Sequence, residues 1–304
     1  MQPFYIVGPT GSGKSSIALS LAQRIGGEIV NADAFQLYQG LDVLTAKPTV
    51  TDMERVPHHL YGVVDPSDEM DAATYADLAS SCIREISVRD NPPIVVGGSG
   101  LYVKALTHGL STLPHADNEL RAALSPFSLD ELSNWLQRLD PDGAANMNLR
   151  NPRYVERALE ISLLSGLPAS ELKAHWASQQ PAFDGIFLEW EREALYERIN
   201  QRTHKMIATG LLDEVKHLPP LSDTASKAIG IREMKSHLAG ESSLEEAIEA
   251  MQQATRRYAK RQITWFRREI GFQSICLSSA TDAKSAVAQI LTMFPHLQPN
   301  QNDA

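Results

Sequence analysis

Residues 8–15 read Gly8-Pro9-Thr10-Gly11-Ser12-Gly13-Lys14-Ser15 and directly follow an apolar run, Phe4-Tyr5-Ile6-Val7. The stretch fits the P-loop pattern G-x-x-x-x-G-K-[ST] in the context that this pattern requires, a strand before the loop and an amphipathic helix after it. The helix is predicted from Ser15 to about Ile25, where Gly26-Gly27 ends it. Because backbone N–H groups, a helix N-terminus and a lysine meet at this point, the loop is predicted to bind phosphate oxygens.

Strands and helices continue to alternate after the P-loop. A second strand is predicted from Glu28 to Ala32, with Asp33 at its carboxyl end. The other elements expected in this half are a short helix through Phe35, Leu37 and Tyr38, a strand at about residues 60–64, a helix at about 72–88 capped by Asp71, and a strand at 93–96 that leads into the turn Gly97-Gly98-Ser99-Gly100. The alternation predicts an α/β fold: a P-loop NTPase-like parallel sheet flanked by helices. In such a sheet, Asp33 would point into the ligand crevice.

The alternation stops between residues 113 and 182. Only amphipathic helical segments are found there, near 129–139, 153–164 and 169–176, which predicts an all-helical insertion domain. The alternation resumes with a strand at 185–190, helices at about 193–209 and 244–266, and a last strand at 275–277. The predicted organisation is a discontinuous core of residues 1–112 and 183–294, the insertion 113–182, and a disordered tail 295–304.

Composition places the chain among ordinary globular proteins. Of its 304 residues, 43% are hydrophobic and 21% charged. No apolar run approaches the ~20 residues of a membrane helix, so no membrane partner is expected. The two cysteines, Cys82 and Cys276, lack the spacing of a metal or redox pair, and His58-His59 lacks a third ligand and is predicted to be structural. The first strand begins almost at Met1, so no signal peptide is expected and the predicted location is the cytoplasm.

Charge is unevenly distributed along the chain. The net charge of −9 argues against a uniformly basic nucleic-acid binder, yet one segment near residue 260 is strongly basic. Its cations are Arg256, Arg257, Lys260, Arg261, Arg267 and Arg268, with no acidic residue between them. The segment is either a solvated helix end or a site for RNA phosphates. Arg198 and Arg202 lie four apart on one predicted helix and are either a solvated face or diphosphate clamps.

Three classes of function use a phosphate site of this kind. A small-molecule kinase passes the γ-phosphoryl group of ATP to a hydroxyl. A regulatory NTPase would hydrolyse a nucleotide to move the helical insertion. A transferase would hold a diphosphate leaving group that is attached to carbon. The P-loop alone does not choose between them.

Five further segments narrow the choice. They are Asn31-Ala32-Asp33-Ala34-Phe35-Gln36-Leu37-Tyr38, Thr45-Ala46-Lys47-Pro48, Val96-Gly97-Gly98-Ser99-Gly100-Leu101-Tyr102, Asn151-Pro152-Arg153-Tyr154-Val155-Glu156-Arg157-Ala158-Leu159-Glu160 and Ala259-Lys260-Arg261-Gln262-Ile263-Thr264-Trp265-Phe266-Arg267. Together with the P-loop, and in this order, they resemble the tRNA dimethylallyltransferases, also called isopentenyltransferases. The resemblance runs from the P-loop to about Arg268.

This resemblance implies transfer of a dimethylallyl group from dimethylallyl diphosphate to N6 of the adenosine beside the anticodon of a tRNA, with release of diphosphate. The implied partners are the tRNA anticodon stem-loop and dimethylallyl diphosphate, and the implied cofactor is Mg²⁺. A monomer is expected. Two alternatives stay open: an adenylate isopentenyltransferase acting on free AMP or ADP, which would not need the basic segments, and a P-loop small-molecule kinase.

The resemblance also implies roles for single residues. Asp33 is the candidate general base, because an exocyclic amine is a poor nucleophile and gains from a carboxylate that accepts its proton. A helix N-cap or a magnesium partner remains the alternative for Asp33. Ser99 and Arg121 are implied at the reacting centre, although the sequence alone would make Arg121 an exposed helix residue. The implied diphosphate site is Gly8, Thr10, Gly11, Ser12, Gly13, Lys14 and Ser15, with the Ser15 hydroxyl holding Mg²⁺.

The resemblance also implies contacts with tRNA. The acceptor base must leave its stack in the folded RNA to reach the donor, and cationic side chains would bind the RNA phosphates. The implied contacts are Asp33, Ala34, Phe35, Gln36, Arg153, Tyr154, Val155, Glu156, Arg157, Arg256, Arg257, Lys260, Arg261, Gln262, Arg267 and Arg268. The chain departs from the family at four positions, since the family often has Thr at 99, Ser at 34, Gly at 44 and Tyr at 231. Ser99 keeps the hydroxyl group of the family's threonine. Ala34 and Ile231 lack the hydroxyl groups of the family's serine and tyrosine, so the family's contacts at positions 34 and 231 are in doubt.

Overall fold

The computed structural model describes residues 1–109, 113–114, 117–178 and 183–298. Its contacts divide the chain into two units. The first unit contains Met1–Thr107 and Ala182–Ala304, and the second contains His108–Pro181.

Within the described residues, the first unit contains one six-stranded sheet. Its strands are β1 (Phe4–Val7), β2 (Glu28–Asn31), β3 (His58–His59), β4 (Pro93–Gly97), β5 (Asp184–Trp190) and β6 (Gln273–Leu277). Their order across the sheet is β3-β2-β4-β1-β5-β6, and every neighbouring pair is parallel. The predicted parallel sheet is therefore confirmed, and the P-loop strand β1 lies between β4 and β5.

Fifteen α-helices are described. Those of the first unit are α1 (Lys14–Ile25), α2 (Asp42–Thr45), α3 (Val50–Arg55), α4 (Ala72–Val88), α5 (Gly100–Thr107), α11 (Arg192–Ala208), α12 (Leu211–Lys216), α13 (Ile231–Leu238), α14 (Leu244–Phe266) and α15 (Ala283–Met293). Those of the second unit are α6 (Asn118–Leu124), α7 (Leu129–Leu139), α8 (Pro141–Ala145), α9 (Pro152–Ser165) and α10 (Ala169–Ser178). None of the described helices is long and apolar enough to cross a membrane.

The sheet is apolar on both faces, which is why β1 reads as a continuous apolar run. Successive side chains of a strand point to opposite faces. Phe4 and Ile6 accordingly pack in the layer formed with α1 and α15, whereas Tyr5 and Val7 pack in the layer formed with α4, α13 and α14. Because β4 pairs in parallel with both β1 and β2, the carboxyl ends of these three strands lie together at one edge of the sheet.

The second unit has an apolar core of its own. Leu136 of α7 and Val155 and Leu159 of α9 are fully buried in it. Ser128 begins α7 with a capping box, its side chain accepting from the Glu131 N–H while the Glu131 carboxylate accepts from the Ser128 N–H. Among its described residues, this unit contains helices and no strand.

Three local predictions differ from the structure. The short helix expected through Phe35, Leu37 and Tyr38 is a series of turns, because the Asn31 and Asp33 side chains accept backbone N–H groups there. The strand expected at 60–64 is not formed as a continuous strand: the strand is His58–His59, Leu60 adopts a positive φ of 64°, and Val64 makes only an isolated parallel bridge to Tyr38. The tail expected to be disordered from residue 295 begins with a 3₁₀ turn, Pro295–Leu297, and residues 299–304 lie outside the described part.

Candidate active site

The P-loop leaves the carboxyl end of β1 and turns directly into α1. Gly13 precedes the helix with φ 90°, a left-handed conformation that side chains other than glycine rarely adopt. Ser12 is fully buried, and its Oγ has no hydrogen-bond partner among the described residues. A buried hydroxyl without a partner is costly, so this atom marks a position where a ligand oxygen would be favourable.

Two side chains hold the outer carbonyl groups of the loop. The Trp190 Nε1 donates to the Ser12 carbonyl at 2.9 Å, and the Arg198 Nε donates to the Gly11 carbonyl at 2.8 Å. The Arg198 guanidinium also lies 4.4 Å from the centre of the Trp190 ring, within the range of a cation–π contact. Arg198, predicted as a candidate clamp, therefore lies against the P-loop.

A strongly cationic pocket opens beside the loop. Its lining residues are Gly11, Gly13, Lys14, Ser15, Ser16, Ala46, Arg198, Gln201, Arg202 and Lys205, of which four are cationic and none is acidic. Burial lowers the pKa of Lys14 to about 8, although the nearby Asp33 carboxylate acts in the opposite direction. An unbalanced group of cations at a helix N-terminus is suited to a multiply charged anion such as diphosphate.

An apolar pocket adjoins the cationic one and shares Arg202 with it. Its lining residues are Thr10, Asp33, Phe35, Leu44, Thr45, Ile199, Arg202, Thr203, Met206, Ala228, Ile229, Met251, Thr255 and Tyr258. Arg202 joins the walls of this pocket, since its Nη1 donates to Thr10 Oγ1 and its Nη2 to the Thr45 carbonyl, both at 3.0 Å. The pocket thus combines one carboxylate, one guanidinium and a mainly apolar lining.

Asp33 is held at the edge of this pocket by its neighbours. Its N–H donates to Asn31 Oδ1 at 2.9 Å, and its own Oδ1 accepts from the Phe35 N–H at 3.1 Å. The Ser99 Oγ accepts from the Ala34 N–H at 2.9 Å, so the second glycine turn lies directly beside Asp33. The structure therefore brings together Asp33, Ser99 and Phe35. The alternative role of Asp33 as a helix N-cap does not apply, because its side chain accepts from the Phe35 N–H within a series of turns and not at the start of a helix.

Tyr258 is a lining residue that the sequence did not single out as part of the site. Burial, and then the negative charge of Asp33, raise the pKa of the Tyr258 phenol, so the group stays neutral. The ring lines the pocket, and the Arg261 guanidinium lies 5.6 Å from the ring centre. The sequence did carry a signal for Tyr258. This residue shares one face of α14 with Thr255 and Gln262, so polar groups occur on a face that is otherwise apolar.

Gln262 requires a correction. It was predicted to contact tRNA, yet it is only 4% exposed, and both the oxygen and the nitrogen of its amide form hydrogen bonds inside the protein. Its Oε1 accepts from the Thr10 N–H at 2.8 Å, and its Nε2 donates to the Gly98 carbonyl at 2.9 Å. A Cβ on Gly98 would lie 2.2 Å from that Nε2, so glycine is required for this close approach. Gln262 therefore joins the two glycine loops.

In the second unit, Arg121 and Arg157 share one buried carboxylate. Arg121 donates to both oxygens of Glu160, at 2.9 and 3.1 Å, and Arg157 donates to Glu160 Oε2 and to the Pro114 carbonyl. Burial acts to raise the pKa of Glu160, but the two arginines more than offset this effect and the pKa lies below its usual value. Arg121 was implied at the reacting centre, and its partners in the structure belong to its own unit.

The other residues that the resemblance implied for tRNA binding in this unit lie on α9. Arg153, Tyr154 and Glu156 are exposed, with Tyr154 at 57%. Val155 is instead fully buried in the core of the unit. Its prediction as a tRNA contact is therefore wrong, because the helix turns that position inward.

The basic segment on and after α14 is mostly exposed. Arg257, Lys260, Arg261 and Arg268 face solvent, whereas Arg256 donates to Asn200 Oδ1 at 2.8 Å and Arg267 pairs with Glu189 at 2.9 Å. In the core turn, Ala34 and Gln36 are partly buried, and the Gln36 Nε2 donates to the Thr45 carbonyl. Five of the six cations, Arg267 included, are exposed and remain suited to phosphates.

The donor set for a metal ion is limited. No group of three or more His, Cys, Asp and Glu side chains with metal-binding geometry occurs in the described residues. The exposed Ser15 hydroxyl lines the cationic pocket, where the other lining residues carry no carboxylate. This set fits a Mg²⁺ ion that takes most of its oxygen ligands from a bound diphosphate and water.

Comparison with known proteins gives a consistent result. A family model described as IPP transferase matches residues 36–269, and one described as Isopentenyl transferase matches residues 1–63. The chain is 45% identical to a tRNA dimethylallyltransferase of Geobacter metallireducens, covering 87% of this chain and 89% of the relative. It is 42% identical to a tRNA dimethylallyltransferase of Phenylobacterium zucineum, covering 98% and 100%.

Solved structures show the same likeness. The full-length tRNA isopentenylpyrophosphate transferase of Bacillus halodurans matches with a TM-score of 0.71 at 36% identity, covering 98% of this chain and 96% of that one. A eukaryotic dimethylallyltransferase acting on tRNA matches with a TM-score of 0.81 at 28% identity, covering 99% and 81%.

Proposed function

The chain belongs to the IPP transferase family of tRNA dimethylallyltransferases, and we propose that it transfers a dimethylallyl group from dimethylallyl diphosphate to N6 of the adenosine adjacent to the anticodon in tRNA. The observation that supports this assignment most directly is the pairing of the two pockets. A cationic pocket suited to diphosphate and an apolar pocket suited to a five-carbon group meet at Arg202, and Asp33 lines the apolar one.

The diphosphate would occupy the P-loop side. Lys14, Arg198, Arg202 and the N–H groups at the start of α1 would neutralise the charge that develops on it as the C–O bond breaks. Preorganised donors of this kind stabilise a leaving group because they need no rearrangement during the reaction. The unpartnered Ser12 Oγ supports the presence of a ligand oxygen in the loop.

The carbon skeleton would occupy the apolar side. C1 of the donor loses its bond to the diphosphate oxygen and gains a bond to N6 of the adenine, while one proton leaves N6. We assign that proton to the Asp33 carboxylate, with Ser99 holding the Ala34 backbone beside it. The products are N6-dimethylallyladenosine in the RNA and free diphosphate, and solvent then takes the proton from Asp33.

Mg²⁺ is the proposed cofactor. Ser15 would hold it together with oxygens of the donor, and when bound it would supply further charge neutralisation to the leaving diphosphate.

The acceptor base would enter from the side of Phe35 and Tyr258, two aromatic side chains that line the pocket with Asp33. The exposed cations of α14 would bind phosphates of the anticodon stem-loop. Arg153 and Tyr154 of α9 are proposed as further tRNA contacts made by the second unit. The same proposal makes the enzyme a monomer that works in the cytoplasm, where its tRNA substrates are found.

The decisive experiment offers the purified protein dimethylallyl diphosphate and Mg²⁺ together with unmodified tRNA, free AMP, or neither. We expect prenylation of tRNA alone, located by mass spectrometry at the adenosine beside the anticodon. Prenylation of AMP but not of tRNA would show an adenylate isopentenyltransferase instead. Phosphorylation of a small molecule by ATP, without any prenyl transfer, would show a kinase and contradict the assignment.

A further inference from the structure

Helix α2 is a single turn that contributes to the walls of both pockets. Leu44 and Thr45 line the apolar pocket, and Ala46, directly after the helix, lines the cationic one. A helix of this length is not stable by itself, because its few internal hydrogen bonds do not offset the cost of nucleation. Contacts from other elements must therefore fix the position of α2.

Glu214 of α12 binds the first turn of α2. Its Oε2 accepts from the N–H groups of Asp42 at 2.9 Å and Val43 at 2.7 Å, and its Oε1 accepts from the N–H of Leu44 at 2.9 Å. A helix of one turn offers these N–H groups no internal partner. One carboxylate thus satisfies three backbone donors, and its negative charge lies at the positive end of the helix dipole.

Arg202 of α11 binds the opposite end of α2. Its Nη2 donates to the Thr45 carbonyl and its Nη1 to Thr10 Oγ1 of the P-loop, both at 3.0 Å. The Gln36 Nε2 donates to the same Thr45 carbonyl, also at 3.0 Å. The guanidinium is therefore oriented by two uncharged acceptors, one from the P-loop and one from α2. A displacement of α2 would remove the second of them.

Glu214 and Arg202 lie on consecutive helices with a short connection. Helix α11 ends at Ala208 and α12 begins at Leu211, and Gly210 between them has a φ of 101°, a left-handed conformation that favours glycine. The two helices together place a carboxylate at the N-terminal end of α2 and a guanidinium at its C-terminal end. Both charges stabilise the helix dipole, so the position of α2 depends on both helices.

We propose that Glu214 is the positioning residue for Arg202: by fixing α2, it keeps the Thr45 carbonyl where it orients the guanidinium toward the diphosphate. The inference rests on the proposed function, since the ligand is the diphosphate of that same donor. A guanidinium binds phosphate oxygens through a planar set of donors, so its orientation affects its affinity. Glu214 is not among the described residues that line either pocket, so its effect on the ligand passes through Arg202.

The test is a double-mutant cycle between Glu214→Gln and Arg202→Lys. Calorimetry gives the Kd for inorganic diphosphate, in the presence of Mg²⁺, in the unmodified enzyme, the two single variants and the double variant. Glu214→Gln leaves one acceptor oxygen for three N–H groups. With Arg202 present, we expect it to raise the Kd about 3- to 10-fold, a coupling typical of residues in one hydrogen-bond network.

In the Arg202→Lys enzyme, the same Glu214→Gln substitution should change the Kd by less than about twofold, because lysine lacks the planar donors that α2 orients. Asp213→Asn is the matched control, an exposed neighbour on α12 with the same change of charge, and it should leave the Kd unchanged. A Glu214→Gln effect of equal size with and without Arg202 would indicate a general loss of structure and overturn the proposal. A Kd equal to that of the control would overturn it as well.

If Glu214→Gln does not fold, Glu214→Asp takes its place in the cycle, since it keeps the carboxylate but shortens the side chain, and the same two results decide. The inference and the proposed function can fail separately. A protein that shows the coupling with diphosphate but prenylates no tRNA would reject the proposed function alone. A protein that prenylates tRNA but shows no coupling would reject the role of Glu214 alone.

Discussion

The side-chain Oε1 of Gln262 accepts a hydrogen bond from the Thr10 N–H at 2.8 Å, across 252 positions of the chain. The same side chain donates to Gly98, so one amide on α14 fixes the P-loop and the second glycine turn together. Both loops carry groups assigned to the reaction. The geometry of the donor site therefore depends on a helix that is far from it in sequence.

Gln262→Ala is expected to remove this link. The Thr10 N–H and the Gly98 carbonyl would each lose their partner in a region of low exposure, which costs about 1–3 kcal/mol per unsatisfied group. We expect a lower melting temperature and a higher KM for the donor. Gln253→Ala, at an exposed position of the same helix, serves as the control. A Gln262→Ala enzyme as stable as this control, with an unchanged KM, would show that the link is dispensable.

Asp33→Asn is expected to remove catalysis while tRNA still binds. The substitution keeps the shape of the side chain but removes the proton acceptor, and general-base groups contribute about 10²–10⁴-fold to rate. Single-turnover kinetics and a filter-binding assay with labelled tRNA separate the two effects. The exposed Asp68→Asn variant controls for the change of charge. Normal turnover at saturation, combined with a failure to bind tRNA, would assign Asp33 to binding instead.

The Lys14 ammonium predicts a pH dependence of donor use. Because its pKa is lowered to about 8 by burial, the group is charged below that pH and neutral above it in the free enzyme. The value of kcat/KM for the donor reports free-enzyme ionisations, so it should be flat below about pH 8 and fall above it. In Lys14→Arg the side chain stays charged above pH 8, so kcat/KM for the donor should no longer fall in that pH range. An identical profile in both enzymes would exclude Lys14 as the titrating group.

Charge reversal at Lys260 and Arg261 is expected to weaken tRNA binding. For each cation that no longer pairs with an RNA phosphate, the slope of log K against log salt should become shallower by about 1. Binding of labelled tRNA over a series of salt concentrations measures this slope. The matched variant reverses Lys216 and Lys284, which are exposed on α12 and α15. Equal slopes in both variants would mean that the α14 cations do not bind phosphate.

The sequence predicted the framework of the fold well, because its signals are local. The P-loop, the second glycine turn and the Asp71 cap of α4 lie within a few residues of the elements that they define, and both α4 and α14 have the predicted bounds. A short helix was predicted after Asp33, through Phe35, Leu37 and Tyr38, and the structure has turns there. The Asn31 and Asp33 side chains accept backbone N–H groups in this segment, and the residue types alone do not reveal those hydrogen bonds.

Residues of the candidate site could be predicted where the residue type and its motif indicate a chemical role. They could not be predicted where the role depends on how helices pack in the folded protein. Lys14 and Asp33 followed from their positions after strands. Gln262 and Val155 were misassigned because a motif identifies segments and not which side of a helix faces inward. Glu214 gave no local signal at all, since its role arises from contacts between α2 and α12.

The position of the helical insertion in the chain has a consequence for biosynthesis. Strand β1 pairs on one side with β4, which precedes the insertion, and on the other with β5, which follows it. While the ribosome makes the residues between them, one edge of the apolar strand β1 has no partner in the nascent chain. Exposed apolar edges recruit other strands, so this interval is when the growing polypeptide most needs chaperone protection. A message cut short before residue 184 would release a chain with that edge permanently open.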